Sequence, residues 1–203
     1  MSVTDRRLTR RGEATRARIV ETAAGLIYAH GVARTNNEAV RSAAGVSGSQ
    51  LSHYFPDKES LLRAVLRWRA DAMMGLHQTP PQGPPDSIAA LRSWADSNLT
   101  DETVRDGGCS FGSLAAEVMK SGLDLNDEIA GGFDRWKAQL REGLTAMRAA
   151  GVLRPDADLE HLAYVLMAAF QGGMLLSQGA RDVTPLRNAL YGAIAYVETF
   201  GNA

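Results

Sequence analysis

The densest run of side chains able to make directional contacts is Ser47-Gly-Ser-Gln-Leu-Ser-His-Tyr54, where hydroxyls, an amide, an imidazole and a phenol surround one aliphatic residue, Leu51. These groups are free to offer hydrogen bonds. The paired donor and acceptor of Gln50 match the major-groove edge of adenine, and Gly48 lets a backbone come close to a duplex. Elsewhere the sequence offers little for catalysis. His30, His53, His77 and His161 are scattered over different predicted helices, and no glycine-rich phosphate loop, His/carboxylate metal set or nucleophile signature occurs. The expectation is a non-enzyme with no metal and no cofactor.

That polar run needs a scaffold that projects it outward, and the flanking residues supply one. Thr35-Asn-Asn-Glu38 and Ser47-Gly-Ser-Gln50 both read as capping boxes, which start short helices by satisfying backbone N–H groups reciprocally. Between them Ala44-Gly-Val46 provides a glycine for a tight turn. Two capped helices joined this way form the skeleton of a helix-turn-helix. A first helix with Ile19, Ala23, Leu26 and Ile27 on one stripe precedes them and ends near Gly31. A fourth starts at the N-cap Asp57, with Leu61, Leu62, Val65, Leu66 and Met73 facing inward. Lys58 lies at its exposed start, where N–H groups and the positive end of the dipole favour an anion.

Thr79-Pro-Pro-Gln-Gly-Pro-Pro85 holds four of the seven prolines and cannot continue a helix. Beyond it helical periodicity predicts elements near 86–104, 110–121, 125–150, 157–178 and 185–201, the last opened by Thr184-Pro185 as N-cap and first-turn proline. The expected fold is all-α, with about nine helices in two domains. Residues 1–56 form the helix-turn-helix domain, with 1–11 as a disordered arm, and 57–203 form a larger helical domain.

Of 203 residues 45% are apolar and 22% charged, the profile of a globular chain. The net charge of −1 conceals an asymmetry. Residues 1–58 carry nine Lys/Arg against five Asp/Glu, a balance of +4, and 59–203 carry thirteen against eighteen, a balance of −5. A basic front on an acidic body suits a phosphate-facing module. The single cysteine, Cys109, cannot form an intrachain disulfide, which favours a reducing, cytoplasmic setting. From His161 to Ala180 no charged residue occurs over 20 positions; its glutamines and paired glycines favour a helix buried in a core or dimer interface over a membrane span.

The stretch Ala43-Ala-Gly-Val-Ser-Gly-Ser-Gln-Leu-Ser-His-Tyr-Phe-Pro-Asp-Lys-Glu-Ser-Leu61 resembles the recognition helix and following turn of the tetracycline-repressor (TetR) family. Arg18-Ile19, Ala23-Ala24, Leu26-Ile27, Gly31 and Thr35 extend the match over roughly residues 12–66. Ser52 departs from it, standing where an aromatic is usual. The resemblance implies a repressor that is a homodimer through its last two helices, grips double-stranded palindromic operator DNA, and lets go when a small molecule binds. It implies that Thr35, Ser47, Tyr54 and Lys58 meet phosphates, and that Gly48, Ser49, Gln50, Ser52 and His53 lie nearest the base edges. Thr35 and Ser47 are equally well explained as caps. Arg6, Arg7, Arg10 and Arg11 are either a DNA-contacting arm or a solvated tail.

For the sensor half the resemblance implies an effector cavity, and such cavities have mostly apolar walls. Trp94, Phe111, Met119, Phe133, Trp136, Met167 and Phe170 are the candidates, although residues of each type are more often plain core than ligand wall. Together they point to an apolar or aromatic effector. The apolar series Leu159, Leu162, Val165, Leu166, Ala169, Phe170 and Met174, with Leu186, Leu190, Ile194 and Val197, offers more surface than one thin domain buries. Residues 107–117 resemble a segment from a branch of the family in which some members control efflux or detoxification genes. Cys109, at a helix start, is either a small buried residue or a reactive thiolate. A thiol-based redox or electrophile sensor on the same fold, or a helical protein-interaction module, are the alternative functions.

Overall fold

Caps and glycines divide the chain into nine helices among the described residues, 8–78, 83–100 and 108–202, of a computed structural model. They are α1 (Arg10–His30), α2 (Asn37–Ala44), α3 (Gly48–Tyr54), α4 (Lys58–Gln78), α5 (Ile88–Leu99), α6 (Ser110–Met119), α7 (Asn126–Ala149), α8 (Leu159–Ala180) and α9 (Thr184–Glu198). The all-α expectation holds. Among the described residues the only β pairing is an isolated antiparallel bridge between Leu153 and Gly201, which ties the α7–α8 turn to the C-terminus.

Local chemistry sets the breaks. Gly31, Gly45 and Gly151 take φ of 81°, 62° and 74°, a region that costs other residues strain, and each follows a helix. Asp57 accepts the Ser60 N–H at 2.7 Å and so starts α4 as expected. Three boundary expectations need correction. The N-cap of α2 is Asn36, whose Oδ1 accepts the Ala39 N–H at 2.9 Å, and not Thr35. Thr35 is buried and donates its hydroxyl to the Gly31 carbonyl at 2.9 Å. Thr184 lies inside α9, after Val183 as N-cap. Thr9 caps α1, so Arg10 and Arg11 are helical and not part of a disordered arm. Arg6, Arg7, Pro80, Pro81 and the expected end of the fifth helix at 101–104 lie outside the described residues.

The first four helices share a core of Ile19, Ala23, Val40, Leu51, Phe55, Leu62 and Val65, built from the predicted stripes. From there α4 runs on to pack against α6 and α7, so it belongs to both ends of the molecule. In the larger part α8 and α9 lie against each other over most of their length. Gly173 permits this approach: a Cβ there would sit 2.8 Å from Leu186 Cδ1 and 2.9 Å from its Cα. Ser177, fully buried, accepts the Leu186 N–H at 3.0 Å and satisfies a donor in the first turn of α9. The uncharged run of α8 is long and apolar enough to cross a membrane by composition, yet Leu162, Ala163, Leu166 and Phe170 are buried within the protein.

Candidate nucleic-acid interface and effector cavity

Only Leu51 of α3 is buried; Gly48, Ser49, Gln50, Ser52 and His53 are exposed and Tyr54 is half-buried. The helix is anchored by one side chain and by its cap. Ser47 Oγ accepts the Gln50 N–H at 3.1 Å, and Gln50 Oε1 accepts the Ser47 N–H at 2.9 Å, completing the predicted box. This has a consequence for the expected adenine contact. The Gln50 carbonyl already accepts one bond, so a two-point contact with a base must use its second lone pair or open the box. Ser47 Oγ also lies 3.0 Å from Ser49 Oγ, and the His53 ring meets Tyr54 edge-on at 5.1 Å.

Cations flank this helix. Arg10 and Arg11 are exposed at the start of α1, close to the end of α3: a Cβ on Gly12 would lie 3.4 Å from the Tyr54 hydroxyl. Arg41 is paired with Glu38 one turn back, and each group shifts toward its charged form through that hydrogen bond. Other arginines hold the scaffold. Arg18 donates to the Ala44 carbonyl at 3.0 Å, and Arg16 lies 5.1 Å over the Phe55 ring. Lys58 is exposed, but its ammonium donates to the Val32 carbonyl at 2.8 Å. The other side of that residue is held too: Glu117 Oε2, from α6, accepts the Val32 N–H at 2.6 Å. One residue is thus gripped by the expected phosphate-contacting lysine and by the larger domain.

The candidate effector residues separate into groups. Trp94 stacks with Phe170 at 5.8 Å, and Trp136 meets the same ring edge-on at 4.9 Å. Phe111 and Phe133 form a second edge-on pair at 4.9 Å, with Phe111 pressed so closely on Gly132 that a Cβ there would sit 2.3 Å from the ring. Met167 is half-buried against the core. Met119 is a correction: as the last residue of α6 it is 58% exposed, too open to wall an enclosed cavity.

Trp94 and Trp136 line a cavity of about 30 Å³ together with Ala90, Gln139, Leu140, Gly83 and Pro85. A second cavity of about 150 Å³ lies between α1, α4, α6 and α8, with Tyr28, Arg69, Glu117 and Gln178 on its walls. Arg69 donates to the Ala24 carbonyl at 2.9 Å, and burial lowers its pKa from the usual arginine value. A third hollow, about 660 Å³ between α4 and α7, is an open groove with Arg67, Asp71, Glu128, Asp134 and Arg135 on it. Cys109 is buried and caps α6, its sulfur accepting the Gly112 N–H at 3.3 Å and the Gln171 amide at 3.4 Å. A structural role accounts for it.

Three residues escaped the sequence reading. Gln139 falls in the apolar stripe of α7, three positions after Trp136, and that spacing was the available signal. Glu117 is one turn on from Leu114 on the inner side of α6, but its partner is 85 positions away. Asn36 was readable, since asparagine caps as well as threonine.

Two family models match the chain. The one for bacterial regulatory proteins of the tetR family covers residues 19–65, and the one for the tetracyclin repressor-like C-terminal domain covers residues 88–192. The HTH-type transcriptional regulator RutR of Escherichia coli is 27% identical over 173 residues, spanning 83% of this chain and 74% of RutR. Among solved structures, the reduced form of E. coli NemR superimposes with a TM-score of 0.75 at 23% identity, over 93% of this chain and 98% of that one. A TetR transcriptional regulator from Chloroflexus aurantiacus gives 0.72 at 25% identity, over 93% and 96%.

Proposed function

This chain belongs to the tetracycline-repressor family of bacterial regulatory proteins, and from that premise we propose how its parts act in a ligand-responsive, DNA-binding transcriptional repressor. The carrying observation is α3: a capped helix anchored through Leu51 alone, with Gly48, Ser49, Gln50, Ser52 and His53 turned to solvent. These five read the base edges. Ser47, Tyr54 and Lys58 hold phosphates, joined by Arg10 and Arg11 of α1. Thr35, buried and bonded to Gly31, supports the turn, and its exposed neighbours Asn36 and Asn37 are better placed to meet the backbone.

The protein acts as a homodimer through α8 and α9. Tyr164, Ala168, Gly172, Leu175 and Leu176 leave an apolar stripe of α8 facing outward, with Tyr191 and Tyr196 exposed on α9. Two copies pairing there present two recognition helices, so the operator is an imperfect palindrome whose half-sites follow the helical repeat. The setting is the cytoplasm, where the chromosome is.

An apolar or aromatic effector enters among α5, α7 and α8. Its effect reaches DNA along α4, and through the Val32 grip, where a shift of Glu117 on α6 changes the footing of Lys58. Effector and operator then oppose each other reciprocally, by a coupling of roughly 1–3 kcal/mol. A fluorescence-anisotropy titration of the full chain against its own upstream DNA, at two salt concentrations, tests the reading. Steep salt dependence combined with sequence preference is the expected result. Equal binding to operator and scrambled duplex refutes it.

A further inference from the structure

Gln139 is 7% exposed, and neither its Oε1 nor its Nε2 has a hydrogen-bond partner among the described residues. Thr35 and Ser177, buried likewise, are satisfied, Thr35 donating to Gly31 and Ser177 accepting from Leu186. Glu128, with its side chain 8% exposed, is paired through Oε1 with Arg63 and leaves only Oε2 over. A buried amide with both ends unpaired destabilises the fold, and an aliphatic residue of similar size would avoid that cost. Its position on the wall of the cavity between Trp94 and Trp136 gives it a use.

We propose that this cavity is the effector site and that it selects a planar apolar molecule carrying a cis-amide edge, a ring N–H beside a ring C=O. The ligand N–H donates to Gln139 Oε1, its carbonyl accepts from Gln139 Nε2, and its ring lies against the two indoles. This rests on the ligand-responsive reading above. The lining decides the chemistry. Among the described residues it holds no ionisable side chain, so a charged ligand finds no counterion on them. A hydrocarbon of the same shape leaves the amide orphaned, and sites built to hydrogen-bond a ligand reject analogues that lack the group. At about 30 Å³ the free cavity has room for water but not a ring. Seating a ring therefore requires the Gly83–Pro85 wall to yield. That wall meets α7 at Gly143, where a Cβ would come within 2.2 Å of the Pro85 carbonyl oxygen.

Isothermal titration calorimetry on the full chain tests this with 2-quinolone, which carries the edge, and naphthalene, which has its shape without it. Wild type is expected to bind 2-quinolone about tenfold or more tightly than naphthalene. In Gln139→Leu the preference disappears while naphthalene binding persists, and the melting temperature stays level or rises because the orphaned amide is gone. Gln139→Met repeats the measurement with a more flexible side chain. Three results overturn the proposal: equal affinity of wild type for both probes, undiminished 2-quinolone binding by Gln139→Leu, or no 2-quinolone binding at concentrations on the order of 1 mM. Undiminished binding would mean that the amide serves a buried water. Operator affinity measured in parallel separates the two readings. Gln139-dependent binding that leaves operator affinity unchanged keeps the site and rejects ligand control. Operator release by 2-quinolone that survives Gln139→Leu rejects the site alone.

Discussion

The recognition helix and the wall of the effector cavity both set polar groups among apolar ones, yet they satisfy them over very different distances. Around α3 the helix caps are local: Ser47 to Gln50, Asn36 to Ala39 and Asp57 to Ser60, each three positions apart. The larger half has caps of the same kind, at Ser87 and Asp158, but there other polar groups also reach across the fold, as Gln171 does to Cys109 and Glu117 to Val32, and Gln139 has no partner among the described residues. Local bonding lets α3 stand outside the core with one anchor, free to meet another molecule. The long-range bonds tie separate elements of the sensor half together, so that a shift at one end of such a bond is felt at the other.

The largest expected effect tests whether the second region is also an interface. Leu175 and Leu176 are 69% and 63% exposed on α8, whereas Leu166 and Ile194, from the same apolar series, are buried inside the protomer. The double variant Leu175→Glu/Leu176→Glu should remain helical by circular dichroism, sediment as a monomer, and lose operator affinity by about 10²–10⁴-fold, the advantage of two linked binding events. Leu166→Glu should instead unfold, since it buries an unpaired charge. A dimeric, tightly binding double variant would place the interface elsewhere.

The same contrast explains what could be read in advance. Gly45, the Ser47–Gln50 box and the α4 start at Asp57 were legible because each is a short-range rule acting on neighbours. Helical periodicity found the α7 stripe for the same reason. It could not say that Met119 ends up outside or that Trp94 and Trp136 share a cavity, because those facts depend on where α5, α6 and α7 cross. Thr35 shows a limit even nearby: threonine, followed by two asparagines, fits either cap, and burial against Gly31 decided in favour of Asn36.

Within the first region two substitutions should separate grip from reading. Lys58→Ala should weaken binding to operator and random duplex alike, about tenfold at low salt, and lower the salt slope by about 1. An unchanged slope would leave Lys58 as the partner of Val32 only. Gln50→Ala should cost less affinity, a few-fold, but relax discrimination at one or two base positions in a competition assay with single-base variants. It also removes one arm of the capping box, so Gln50→Glu, which replaces the amide oxygen with a carboxylate oxygen as acceptor for the Ser47 N–H, is the control for stability. If discrimination survives both changes, Gln50 is a cap and the reading falls to its neighbours.

The smallest effect probes the joint between the two regions. Glu117 and Lys58 never touch, but both hydrogen-bond Val32, at 2.6 Å and 2.8 Å. Glu117→Gln keeps an acceptor for the Val32 N–H while removing the charge that strengthens that bond. Its expected cost in stability is below about 1 kcal/mol, and the residue lies on α6, away from α3. Operator affinity should nevertheless change, by a few-fold, because a looser Val32 lets Lys58 settle differently at the start of α4. A double-mutant cycle isolates this. If Val32 transmits, Lys58→Ala and Glu117→Gln together should depart from additivity in operator binding by roughly 0.5–2 kcal/mol. Substitutions without shared partners add to within about 0.3–0.5 kcal/mol. Strict additivity would mean that Val32 is held from two sides without carrying anything between them, leaving α4 as the route from cavity to DNA.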